Sequence, residues 1–163
     1  MRTIIAASLM LFSIGSATAQ DVYDAVFVSD PAVCERAGEA DMGKVLFDLQ
    51  AKAVAPRSGI WVGGELACKL LDLRTHPSSW DVEEIYATAR CTGPYIDFID
   101  SVVVTSDSQN INRTVGDTGI EPPAMVEVMS LRQGANTDAA PDADGYAGVY
   151  TICDALTAED FAP

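Results

Sequence analysis

An all-β fold is the class this sequence predicts: a single antiparallel β-barrel or sandwich of about eight short strands, with a short N-terminal helix and two disulfides. Three observations lead there. Stretches that alternate apolar and polar residues recur along the chain, and little of the pattern is helical. Polar turn clusters separate them, among them His76-Pro77-Ser78-Ser79, Gly116-Asp117-Thr118-Gly119, Pro122-Pro123 and the stretch Gly134 to Gly145. Four cysteines, Cys34, Cys68, Cys91 and Cys153, all follow a segment with the character of an export signal. An even cysteine count in an exported domain reads as a disulfide framework.

The export signal comes first. Met1 and Arg2 form a basic start, Ile4 to Ile14 is almost wholly apolar, and Ala17-Thr18-Ala19 offers the small residues a signal peptidase needs. That run is too short for the roughly 20 residues of a membrane-crossing helix. Residues 1–19 therefore read as a cleaved signal, and 20–163 as a single β-rich domain bound for the periplasm or the cell exterior. No cysteine follows the run closely, so a lipid anchor is not expected, and no later segment has the length and apolarity of a membrane span. The remaining 144 residues are enough for a real core. Each disulfide then reinforces that core by roughly 3–4 kcal/mol through the unfolded chain.

The elements follow in order. Val22 to Val28 reads as a strand, and Ser29-Asp30-Pro31 as a helix start, which puts Cys34 on a short helix over Pro31 to Ala37. Val45, Phe47 and Leu49 alternate with Leu46 and Asp48, a strand-like pattern. The clearest strand runs from Ile60 to Leu70, where Ile60, Val62, Leu66, Cys68 and Leu70 share one parity and Gly63-Gly64 predicts a bend or bulge. From Val82 to Cys91 the apolar side is Ile85, Ala87, Ala89 and Cys91. Ile96 to Thr105 is a further strand with an irregularity expected at Ile99-Asp100, where the apolar parity slips. Ile111 to Val115, Met125 to Arg132 and Tyr146 to Cys153 complete the set. Four cysteines permit three pairings. Parity favours Cys68 with Cys91 on neighbouring strands, which leaves Cys34 for Cys153.

Charge narrows the partners. The chain carries a formal charge of −14, and −15 once Arg2 leaves with the signal. Such a molecule repels nucleic acid and anionic lipid, and attracts basic proteins, cationic peptides and divalent cations at long range.

Most chemistries lack their residues. The cysteines are tens of residues apart, without the close pairs of a zinc or redox site, so disulfides are the reading. His76 is the only histidine, sits before Pro77 in a predicted turn, and has no G-x-S-x-G elbow to serve. Asp81, Glu83, Glu84, Asp97 and Asp100 offer carboxylate pairs for a glycoside-type hydrolysis, with Trp61, Trp80, Tyr86 and Tyr95 as a sugar platform. Core and strand packing is the commoner use of such aromatics. Asp138, Asp142, Asp144 and Gly145 imitate a calcium loop, but Ala140 and Thr151 occupy its first and twelfth positions, where acids are required. Asn112-Arg113-Thr114 is a formal glycosylation sequon. Gly59, Gly63 and Gly64 lack the Lys-Ser/Thr of a phosphate loop, and no cofactor or metal is predicted.

In format the chain resembles the small periplasmic lysozyme-inhibitor barrels, which are exported, cysteine-stapled and β-rich. The resemblance covers architecture only. Ser58-Gly59-Ile60-Trp61 is the nearest approach to their Ser-Gly-rich inhibitory motif, so it assigns no functional residue. The leading expectation is a non-enzymatic β-module that binds a protein partner, such as a basic protein or peptide. A lipocalin-like barrel for a small apolar ligand, with Trp61, Phe98, Met125 and Met129 lining its cavity, is the second. A carboxylate-based hydrolase is the third.

Overall fold

Alternating strands must bury one face, and here they do so by closing on themselves. In the computed structural model, which describes residues 22–63, 65–77, 83–106, 125–131 and 145–161, eight antiparallel strands form a closed barrel in sequential order. They are β1 (Phe27–Val28), β2 (Lys52–Ala55), β3 (Gly59–Val62), β4 (Leu66–Pro77), β5 (Glu83–Gly93), β6 (Ile96–Thr105), β7 (Met125–Ser130) and β8 (Gly148–Ile152). The closing seam is short: Phe27 pairs with Ile152 and Val28 with Thr151.

Two helices lie between β1 and β2, α1 (Ala32–Glu35) and α2 (Met42–Leu49). The first matches the short helix expected to carry Cys34. The second replaces a predicted strand. Asp41 caps it, accepting the Lys44 N–H at 2.9 Å, and the buried residues Met42, Val45 and Leu46 follow helical spacing. Lys44 and Asp48, one turn apart, pair at 2.6 Å. Gln50 ends it in the left-handed region, at φ 52°.

The chain therefore has two cores. One lies inside the barrel: Phe27, Ile60, Ile85, Tyr146 and Tyr150 are its largest fully buried side chains, each no more than 2 % exposed. The other lies outside, where Val26, Val28, Ala53 and Ala55 on the outer parity of β1 and β2 meet Val33, Val45 and Leu46 of the helices. A C-terminal 3₁₀ turn, Ala158–Phe161, covers the same face. Hence the short strand β1 is apolar on both sides. The predicted strand over Val22 to Val28 shrinks to Phe27–Val28, preceded by a 3₁₀ turn at Val22–Asp24.

Both disulfides join the residues that parity favoured, Cys68 with Cys91 and Cys34 with Cys153. Cys68 and Cys91 are direct partners across β4 and β5 and sit in the barrel interior. Cys153 follows β8 and its N–H donates to Val26 O at 2.8 Å, so the second bridge fastens the helical cover beside the closing seam. By loop length alone the two bridges restrict the unfolded chain by about 3 and about 5 kcal/mol.

Three further expectations change. The stretch Ile60 to Leu70 is a hairpin, not one bent strand: Val62 pairs directly with Leu66. Direct partners face the same side, so three intervening residues leave the parity intact and the alternation reads straight through the turn. The second residue of Gly63-Gly64 lies outside the described residues. The irregularity expected at Ile99-Asp100 does not occur, because β5 and β6 stay in register from Gly93–Ile96 to Glu84–Thr105. Instead Ile99 points to solvent and Asp100 points inward. The real bulge is on β4 between Leu71 and Arg74, with Asp72 at φ 51°. Strand β2, which the sequence left unassigned, joins β1 to β3. The stretches Ile111 to Val115 and 134–144 lie outside the described residues.

Candidate functional site

Two strand turns and one helix end meet at the same end of the barrel. At the β3–β4 turn, Gly63 takes φ +53° with nothing within 4 Å of an added Cβ, and the Glu65 N–H returns to Val62 O at 3.0 Å. The Gly63 N–H also donates to Ala51 O at 3.1 Å, tying this turn to the chain leaving α2. At the β5–β6 turn Gly93 pairs with Ile96, so Pro94 and Tyr95 alone make the connection. Pro94 presets its own backbone angle, and Tyr95 stands 99 % exposed at the tip. Gly93 holds the two turns together. A Cβ there would lie 2.8 Å from Glu65 O, closer than any side chain tolerates.

Between these pieces is a cleft of about 790 Å³. Val62, Leu66, Ile96 and Phe98 give it an apolar surface, and Phe47, 56 % exposed, and Tyr95 stand at it. Its charged lining residues are Asp48 and Glu65, both acidic. They differ in state. The Asp48 carboxylate is hydrogen-bonded by Lys44 and lies 3.7 Å from Arg36, and the Lys44 bond above all holds it below the usual carboxylate range. Glu65 is exposed and has no side-chain partner among the described residues.

The barrel interior is a different environment. Asp100 is 2 % exposed there, accepting from the Ser101 N–H at 2.7 Å, from Ser130 Oγ at 2.6 Å, and from the Tyr146 hydroxyl. The Tyr150 hydroxyl donates to Tyr146 O, and burial pushes its pKa well above the ordinary value. Tyr146 and Tyr150 belong to the buried cluster inside the barrel, together with Phe27, Ile60 and Ile85.

The four residues expected to line a cavity do not converge. Phe98 does line the cleft. Trp61 faces the other way, into the outer core, where it stacks on Phe161 at 5.0 Å. Met125 and Met129 carry the parity opposite to Val126 and Val128, which point into the barrel. Alternation explains all three: the neighbour of an inward residue faces out.

The other candidates fall as follows. Asp97 and Asp100 take opposite faces of β6, and Asp97 lies 3.7 Å from Arg90. Glu84 accepts the Tyr86 hydroxyl at 2.9 Å. Asp81, Trp80, Asn112, Asp138, Asp142 and Asp144 lie outside the described residues, as does the side chain of Glu83. His76 belongs to β4, which runs on to Pro77 where a turn was expected, and meets Tyr86 edge-on at 5.3 Å. Phe47, Glu65 and Leu66 had no functional reading in the sequence. Glu65 and Leu66 follow the Gly63 turn in sequence, the one signal they carried, and Phe47 carried none.

Fold and site together define a disulfide-stapled, closed eight-stranded barrel with a buried cluster inside it and an apolar cleft at one end. No protein-family model, curated protein or solved structure matches the chain.

Proposed function

We propose that this protein is a non-enzymatic binding module that engages a protein partner through the end of its barrel, at the β3–β4 and β5–β6 turns. The observation that carries the reading is Tyr95, an aromatic 99 % exposed on a two-residue turn beside an apolar cleft. Exposed large aromatics on rigid supports are the usual anchors of protein interfaces, because they bury much area for little lost freedom. The remaining chemistry agrees. Two closed disulfides belong to an oxidising compartment, and among the described residues no helix is long and apolar enough to cross a membrane. Residues 1–19 supply the export signal in this reading, with the periplasm or the cell exterior as destination. The net charge of −14 directs the module toward basic partners.

A small apolar ligand is the second reading. The cleft volume of about 790 Å³ falls in the range of small-molecule sites, so such a ligand would sit at the barrel end and not inside it.

Affinity capture from the native extracytoplasmic fraction separates the two. Wild-type protein and a Tyr95→Ala variant are immobilised side by side, and proteins and small molecules retained on each are identified by mass spectrometry. The expected result is a protein held by the wild type and lost with Tyr95→Ala. Equal retention on both would overturn the reading, and a small molecule as the sole Tyr95-dependent species would favour the second.

A further inference from the structure

We infer that the cleft receives a partner segment in which a Lys or Arg adjoins an apolar side chain, with Glu65 as the residue that selects the cation. This rests on the reading of the barrel end as a protein-binding site. The cleft lies beside two hairpin turns, β3–β4 and β5–β6, whose side chains form its recognition surface. The cleft surface of Val62, Leu66, Ile96 and Phe98 suits an apolar side chain. Beside it, Phe47 and Tyr95 present exposed ring faces, and aromatic faces attract cations.

Charge then selects. Among the described residues, both charged groups lining the cleft are carboxylates. Asp48 is already occupied by Lys44 at 2.6 Å, with Arg36 at 3.7 Å. Glu65 is exposed, has no side-chain partner among the described residues, and has its backbone placed by the N–H bond to Val62 O and by the close approach of Gly93 to its carbonyl. A carboxylate on this turn, next to an apolar cleft and an exposed tyrosine, suits a cation on an apolar segment. The overall charge of −14 draws such a segment in.

The test uses three dye-labelled synthetic peptides of equal length, built from Leu alternating with Arg, Gln or Glu, and follows fluorescence anisotropy with the whole protein at low ionic strength. The Leu/Arg peptide is expected to bind most tightly. Glu65→Gln should weaken it by roughly three- to five-fold, the scale of one exposed ion pair. Tyr95→Ala should weaken it by about ten-fold through lost contact area and cation–π attraction. Equal binding of the Leu/Gln peptide, with Tyr95→Ala still weakening both, would overturn the cation selection and leave the barrel-end reading standing. Leu/Arg binding indifferent to both Glu65→Gln and Tyr95→Ala would mean attraction by the acidic surface at large, and would overturn the inference. So would failure of all three peptides to bind, in which case Tyr95-dependent protein capture still judges the broader reading.

Discussion

Asp100 is a carboxylate inside a barrel, and its donors decide what replacing it does. Ser130 Oγ, the Tyr146 hydroxyl and the Ser101 N–H all point at it. Asp100→Ala removes the acceptor and leaves two interior hydroxyls to find another, a change that costs about 1–3 kcal/mol for each buried group left without a partner. Urea unfolding should therefore show a marked drop in stability, with Asp100→Asn losing less because it keeps one carbonyl oxygen. An Asp100→Ala variant as stable as the wild type would mean that the network contributes nothing. The same residue explains an error of reading. Inward parity on β6 runs Phe98, Asp100, Val102, Val104, and a charged residue in that row looks like a slipped strand. Sequence alone cannot separate a bulge from a buried acid, because the two hydroxyls that satisfy Asp100 lie on β7 and next to β8, at least 30 residues away.

At the scale of elements, the strands with a long one-sided alternation were legible. The β5 row of Ile85, Ala87, Ala89 and Cys91 is buried as parity required, and it correctly paired Cys91 with Cys68. Helix α2 was not legible as read. Over the five residues Val45 to Leu49, alternation and helical spacing both fit, and only Asp41 as cap and Met42 one turn earlier decide for helix. Strand β2 was missed because Ala53 and Ala55 face a second core that no single-sheet pattern implies. Gly93 is the element-scale test of the site. Its β5–β6 turn touches the β3–β4 turn so closely that Gly93→Ala, at 2.8 Å from Glu65 O, must push the turns apart. The expected outcome is a loss of about 1–3 kcal/mol in thermal or denaturant unfolding. Weaker binding of the Leu/Arg peptide should accompany it. Unchanged stability would show that the two turns are not packed as described.

For the whole molecule, barrel and sandwich could not be told apart from the sequence for a definite reason. Closure depends on two residue pairs, Phe27–Ile152 and Val28–Thr151, joining distant parts of the chain through a strand too short to carry a pattern. The disulfide between Cys34 and Cys153, whose halves are 119 residues apart, fastens the chain next to that seam. Beside the buried cluster inside the barrel and the covered outer face of β1–β3, an open apolar surface at the barrel end is bounded by Phe47, Glu65 and Tyr95. That is where binding is expected, and it was only partly legible. In the sequence Phe98 reads as a cavity-lining residue and Tyr95 as part of a sugar platform, but their placement depends on which residues the turns bring together.

Backbone amide chemical shifts of the whole protein, recorded while the Leu/Arg peptide is added to saturation, decide whether this barrel binds at its end or in its interior. Perturbations are expected only at residues 47–51, 62–66 and 93–98, with Phe27, Val126, Val128 and Tyr150 unmoved. Perturbations centred on those four interior residues would overturn binding at the barrel end.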